Sequence, residues 1–383
     1  MKKYVSIPVM LCLVGTMLAG CGSTNTEKTE NTNEAESSAQ LSVAEPVTEG
    51  DGSESTAPVE EPKVQTITIS ATGDCTLGRA QIHGYSGSFD DYYDRYGETY
   101  FFSGVKDIFE ADDFTVVNLE CVLTTSETGE EKEFMLKGDP SYTGIMTSSS
   151  VEGCSFGNNH NMDYGQQSFD DTINALNEAG LSYAVNDQIG TYETDEGLKI
   201  GFVSSSLLSG TQDRVDYLVN GINQLKEDDA DLIIACCHWG VEQEHYANDN
   251  QVELAHQLIE EGADVIIGNH PHVLQGIEYY KGKLICYSLG NFSFGGNSNP
   301  TDKQDGIFTQ TFTYVDGKLD EEAQIDATFI PCTLSGAANY NDFCPQIASG
   351  DTKAAILENM AKYSAGYSDL SFDEDGKILT QSE

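Results

Sequence analysis

Only seven histidines occur in 383 residues, and four of them, His160, His238, His270 and His272, stand in short polar stretches that close apolar runs. Asp74, Glu120 and Asn159 stand in stretches of the same kind. Imidazole and carboxylate together suit Zn, Mn, Fe or Ni. A shared carboxylate with terminal nitrogen and oxygen donors can hold two such ions close together. A pair of ions can clamp both oxygens of an in-line displacement and generate hydroxide near neutral pH. In "GNHPH", Pro271 stiffens the turn and so sets the relative directions of His270 and His272. Taken singly, each of these residues also reads as turn chemistry, a cap or a packed polar group. Taken together they are competent to bind metal. His83, His245 and His256 fall outside the pattern, and His256 reads as a surface or packing residue of an amphipathic helix.

What must position such a set is a series of strand ends. "VQTITISATG", "DDFTVVNLE", "LKIGFVSSS", "DLIIACCHWG", "ADVIIGNH" and "KGKLICYSLGNF" read as strands. "SFDDTINALNEAG", "VDYLVNGINQLKEDDA" and "NQVELAHQLIEEG" have helical spacing, the first with an N-terminal Ser and a closing Gly. "GIFTQTFTYVDGKLDEEAQIDATFIP" reads as a hairpin turning at Asp316-Gly317, with its register blurred by the charged stretch that follows. Alternating strands and helices imply an α/β architecture with helices covering sheets. The candidate residues follow the strands, where α/β sheets place ligands.

The formal net charge of −44 argues against nucleic acid as a partner, because phosphate binding needs clustered Lys and Arg. Lys2 and Lys3 precede an apolar run too quickly ended for a confident membrane span. Leu18-Ala19-Gly20-Cys21 resembles the lipobox of bacterial lipoproteins. That resemblance implies a signal peptide over 1–20, lipidation of Cys21 and anchorage on the outer face of the cytoplasmic membrane. Residues 21–63 are rich in Glu, Ser, Thr and Asn and read as an acidic, disordered tether. A folded domain is expected over 64–340, with a C-terminal extension over 341–383. No cysteines are spaced as CxxC, which argues against a zinc knuckle, whereas Cys332 and Cys344 are a candidate disulfide in an oxidising compartment.

The stretches "ATGDCTLGR", "VVNLECVLT", "GNNHNMDYG", "CCHWGVE", "ADVIIGNHPHVLQG" and "LICYSLGNFSF" resemble, in order, the CapA family of poly-γ-glutamate capsule biosynthesis, within the calcineurin-like metallophosphoesterase superfamily. The resemblance implies a four-layer α/β/β/α sandwich of metallo-dependent phosphatase type with a site at one edge of its two sheets. It implies Asp74, Glu120, Asn159, His238, His270 and His272 as ligands of a divalent transition metal (Mn, Zn or Fe), one ion or two. Glu120 would stand as the bridge, and the paired histidines would go to different ions. It implies His160 as a proton donor or phosphate contact. Arg79 is a candidate oxyanion or phosphate contact, since guanidinium grips such groups with two bonds. Most of the superfamily opens with Asp-x-His, whereas this chain has Asp74-Cys75-Thr76, so one histidine ligand is absent.

Three functions stand on these residues. One is a metal-dependent hydrolase or transferase acting on a phosphoester or an amide outside the membrane. A second is a tethered, non-catalytic component that binds poly-γ-glutamate or another envelope polymer with the help of metal, alongside a synthase complex. A chain at −44 repels a polyanion, so metal charge or Arg79 would have to overcome that locally. A third is a degenerate fold kept as an interaction surface, which the joint presence of seven site residues disfavours.

Overall fold

The computed structural model describes residues 61–129, 132, 134–209, 212–367 and 369–380. The expected signal peptide, Cys21 and the tether up to residue 60 lie outside the described residues.

The alternation read in "VQTITISATG" belongs to β1 (Val64–Thr76), which starts at the surface with every second side chain buried and then sinks until both faces are covered. Its parallel neighbours are β2 (Phe114–Leu119), β3 (Gly153–Ser155) and β4 (Ser182–Ala184) in succession. The chain then builds a second sheet from β5 (Gly190–Glu193), β6 (Lys199–Ser206), β7 (Leu232–His238), β8 (Val265–Asn269), β9 (Ile277–Tyr280) and β10 (Lys283–Cys286). Its order is β9-β10-β8-β7-β6-β5. The chain returns to the first sheet through β11 (Asn291–Phe294), β12 (Gln304–Val315), β13 (Asp326–Thr333) and β14 (Gln346–Ile347), giving the order β14-β13-β12-β1-β2-β3-β4 with β11 alongside the end of β1.

The inner faces of the sheets meet in one buried cluster that includes Ile67, Ile69, Phe114, Phe202, Ile234 and Ile267. Period-two alternation then sends the neighbouring residues outward. Val117 and Leu119 of β2 face a cluster that includes Leu176 of α2 (Gly165–Ala179), with α1 (Phe89–Tyr96) contributing Phe89. Ile233 and Ala235 of β7 pack with Leu218 and Ile222 of α3 (Gln212–Glu227) and with Ala255 and Leu258 of α4 (Asp249–Glu261). The result is the expected α/β/β/α sandwich. Beyond residue 340, α5 (Gly350–Ser364) adds Ile356, Met360 and Tyr363 to the inner cluster.

Local sequence accounts for most element ends. Helix α4 opens on a capping box between Asn248 and Gln251 and closes on Gly262 in the left-handed region. Helix α2 begins at Gly165, ahead of the expected Ser168, whose hydroxyl donates back to the Gly165 carbonyl and caps nothing. "KGKLICYSLGNF" is not one strand. Its first part is β10 in the second sheet and its last part is β11 in the first, with Gly290 at φ +79° between them. The hairpin turns at Asp316-Gly317 as read, and Lys318–Leu319 pairs briefly with Tyr314 and Val315. The charged stretch then leaves the ladder, and pairing resumes at Asp326 opposite Thr311.

All eight cysteines from Cys75 onward are buried free thiols, Cys332 and Cys344 among them. No helix of the described residues is long and apolar enough to cross a membrane.

Candidate metal centre

The two sheets meet at one edge where Gly157, just after β3, lies against the end of β6: a Cβ there would lie 2.5 Å from the Ser204 carbonyl carbon, and its N–H donates to the Ser204 hydroxyl at 3.0 Å. A Cβ on Gly73 would lie 2.0 Å from the Gly290 carbonyl oxygen, and one on Gly268 would lie 2.1 Å from that of Tyr287. These two approaches tighten neighbouring strands within each sheet, and the end of β8 is tied to β1 by the Asn269 amide, which donates to the Thr72 carbonyl at 3.4 Å, and by the His270 N–H, 3.3 Å from each Asp74 oxygen. Asn158 ties in the loop after β3. Its amide donates to the Leu119 carbonyl (2.8 Å), and its oxygen accepts from the His160 backbone (3.0 Å).

Asp74, Glu120, Asn159, His160, His238, His270 and His272 converge there. The His272 Nδ1 lies 2.9 Å from Asp74 Oδ2, and its Nε2 lies 3.6 Å from Glu120 Oε1. His238 Nε2 stands 2.7 Å from Asn159 Oδ1 and 3.6 Å from Glu120 Oε1. His160 Nδ1 is 2.7 Å from Asp163 Oδ2, which leaves its Nε2 facing Glu120 at 4.0 Å. The His238 and His270 rings are 4.8 Å apart, centroid to centroid. Ligand atoms of Glu120, His238 and His270 fall within 4.8 Å of one another, as do those of Asp74, Glu120 and His272. Glu120 belongs to both groups.

The site carries unmet demand. Both Glu120 oxygens and the His270 Nδ1 are buried without a hydrogen-bond partner. Leaving such groups unsatisfied costs about 1–3 kcal/mol each, more for a charge. His270 and His272 also hold positive φ, at +96° and +58°, a strained region for residues with a side chain. Strained backbone and orphaned polar atoms around one point fit a cation there.

Electrostatics agree. Burial, with the Asp74 charge added, pushes the Glu120 carboxyl well above its usual range. Burial opposes the charge of Asp74 too, but the neighbouring His272 outweighs it and holds Asp74 low. Burial likewise opposes a charge on His272, yet Glu120 and Asp74 raise it to about 10. Burial and the neighbouring imidazoles push His238 well down and His270 to about 4, and burial lowers His160. Three imidazoles are thus neutral near pH 7, with lone pairs free for a metal. Cys75 offers no thiolate, since burial pushes it up to about 12.

Arg79 stands apart from this group. Its Nε pairs with Asp90 at 2.5 Å and its Nη1 donates to the His83 carbonyl, lining a separate polar cavity. The strand Arg79–Ala80 pairs with Leu136–Gly138, which directs the guanidinium away from the histidines. The cation beside the site is Lys132, which pairs with Asp163 and donates to the Asn159 carbonyl (2.8 Å). Asn118 and Asn291 stand in the polar strand-end stretches without a role being read for them, and Lys132 and Asp163 are not among the residues that the sequence marks as candidate ligands. Asn118 donates to Asp74 Oδ1 (2.7 Å), and Asn291 meets His272 twice, at Nδ1 and at the carbonyl, each at 3.0 Å. "GNNHNMDYG" and "SLGNF" held Asp163 and Asn291 in plain sight, whereas nothing in its own stretch marks Lys132. His256 packs on Tyr280 and pairs with Glu278, the packing role expected of it.

The centre opens into a cavity of about 540 Å³ lined by Lys132, Phe134, Glu242, Phe294 and Asp302 among others. A model of the bacterial capsule synthesis protein family PGA_cap matches residues 68–296, which contain every converging residue. The chain is 30% identical over 261 residues to the PGA biosynthesis protein CapA of Bacillus subtilis (strain 168), covering 61% of this chain and 66% of that protein. It is 28% identical over 268 residues to the capsule biosynthesis protein CapA of Bacillus anthracis, covering 63% of each. The chain thus spans just under two thirds of the length of these relatives. Among solved structures, a hypothetical protein from Thermus thermophilus aligns at 15% identity with a TM-score of 0.42, over 69% of this chain and 99% of that one.

Proposed function

The chain belongs to the bacterial capsule synthesis protein family PGA_cap, and from that premise we propose a metal-dependent hydrolase or transferase of capsule or cell-envelope polymer synthesis, held outside the cytoplasmic membrane by a lipid on Cys21. The observation that carries this reading is Glu120, a fully buried carboxylate with neither oxygen hydrogen-bonded, ringed by imidazoles. The bond attacked is a phosphoester or an amide, and poly-γ-glutamate or another envelope polymer is the partner.

In this reading Asp74, Glu120 and His272 would hold one divalent ion, and Glu120, Asn159, His238 and His270 would hold a second. Mn, Zn or Fe suits these donors. A bound ion supplies Lewis-acid polarisation of the substrate and lowers the pKa of water. The remaining work falls to the chain. Only acceptors, Asp74 and Asn291, surround the His272 Nδ1, so that nitrogen keeps its proton and Nε2 is turned toward Glu120. Asp163 accepts from the His160 Nδ1, which leaves Nε2 to take up or release a proton at the cavity floor. Lys132 pairs with Asp163 and offsets its charge beside the imidazole.

The test is hydrolysis by the metal-loaded chain across a panel of phosphoesters and γ-glutamyl peptides. Turnover that vanishes in His160→Ala while bound metal stays supports the reading. Absence of turnover with metal fully bound favours the polymer-binding role instead.

A further inference from the structure

We propose that Glu242 is an additional metal ligand, reaching the centre from its solvent side across His270 and His272. The inference rests on the metal-centre reading above and adds a residue to it. Ligand atoms of Glu242, His270 and His272 lie within 4.8 Å of one another, a third group beside the two that Glu120 joins. The His270 Nδ1 is buried and lacks a partner, and the residue is only 6% exposed.

The backbone places Glu242 there by construction. Gly240, at φ +83°, turns the chain after β7. Just beyond Glu242, Gln243 donates its backbone N–H to the Pro271 carbonyl at 2.8 Å, between the two histidines. Gln275 then donates to the Glu244 carbonyl, also at 2.8 Å. Two bonds thus staple the 241–244 loop along the His270-Pro271-His272 turn, and the Glu242 side chain lines the same cavity as His160 and His272.

The two residues that follow Asp74 are engaged elsewhere. The Thr76 hydroxyl donates to the Glu120 carbonyl at 3.2 Å, and the Cys75 thiol sits in the apolar cluster on the outer face of the first sheet. A position held by Asp74, Glu120 and His272 has three protein donors, which leaves a fourth place open to a displaceable ligand. Glu242 is exposed while the other carboxylate ligands are fully buried. It is therefore the carboxylate that an anionic substrate group can displace without uncovering a buried charge.

The experiment is calorimetric titration of the full chain with Mn(II), for wild type, Glu242→Gln and Asp302→Asn, with melting of each metal-free protein alongside. Asp302 lines the same cavity and controls for loss of one negative charge. Glu242→Gln is expected to weaken at least one Mn(II) site on the order of 10- to 100-fold, with Asp302→Asn within about threefold of wild type and metal-free Glu242→Gln melting like wild type. Equal affinities in wild type and Glu242→Gln, or equal weakening in both variants, overturn the ligand role. Wild type that binds no Mn(II), Zn(II) or Fe(II) overturns the metal-centre reading and this inference together.

Discussion

The Nδ1 of His272 lies 2.9 Å from Oδ2 of Asp74, an ion pair at the joint between the two sheets. Asp74 is wholly buried, and its other oxygen accepts from Asn118. Removing one member of a buried pair strands the other. Asp74→Asn is therefore expected to lower the stability of the metal-free chain by about 3 kcal/mol, read by urea denaturation in chelator. A loss under about 0.5 kcal/mol, the range of ordinary surface changes, contradicts the pair's structural role.

Glu120 should behave in the opposite way. Its two orphaned oxygens make it a liability until a cation arrives. Glu120→Gln in chelator is expected to match or exceed wild-type stability, by up to about 2 kcal/mol. The same variant should lose the rise in melting temperature that metal gives the wild type. Thermal melts with and without Mn(II) read both effects.

Asp305 predicts a pH dependence away from the centre. It sits opposite Cys332 in the β12–β13 ladder, fully buried, with neither oxygen hydrogen-bonded. Burial, then the nearby Asp302 charge, push its carboxyl well above the usual range. The folded chain therefore keeps a proton that the unfolded chain releases near pH 4. The stability this provides is complete below that pH and is lost as pH rises toward the folded value, at up to about 1.4 kcal/mol per pH unit. Asp305→Asn should flatten the decline in stability between about pH 5 and about pH 7 by one proton's worth. Asp112 and Glu152, both raised to about 7 by burial, sustain the slope that remains. Parallel wild-type and variant curves in chelator contradict the assignment.

Arg79 should not affect metal binding. Held by Asp90 and the His83 carbonyl, it braces the segment leading into α1. Arg79→Ala is expected to lower stability by about 1 kcal/mol and to leave Mn(II) stoichiometry unchanged. Loss of bound metal in this variant would place the guanidinium at the centre after all.

The contrast between Arg79 and Lys132 shows what can be read from a chain before it folds. Asp74, Glu120, Asn159 and the four histidines stand at or just past the ends of strands whose apolar runs mark them, and local pattern is enough to find them. Strand ends of two stacked sheets share an edge, so finding the ends amounts to finding the site. Arg79 stands five residues beyond Asp74, but a two-residue strand turns it toward Leu136–Gly138, and no periodicity reports that pairing. Lys132 belongs to a loop whose position depends on Asp163. Glu242 depends on the bond from Gln243 to Pro271. The split of "KGKLICYSLGNF" between sheets was equally hidden, because Leu289 and Phe292 are buried in either arrangement and only the crossing at Gly290 separates them.

In this reading Asp74, Glu120, Asn159 and the four histidines, gathered from the ends of β1, β2, β3, β7 and β8, form a metal centre, and elemental analysis of the purified full chain decides whether they do. After exposure to Mn(II), Fe(II) or Zn(II) and removal of loose ions, wild type and His160→Ala should each retain about one to two equivalents of a divalent metal per chain. His270→Ala should retain markedly less. Wild type free of all three metals, or His270→Ala as fully loaded as wild type, would contradict the account.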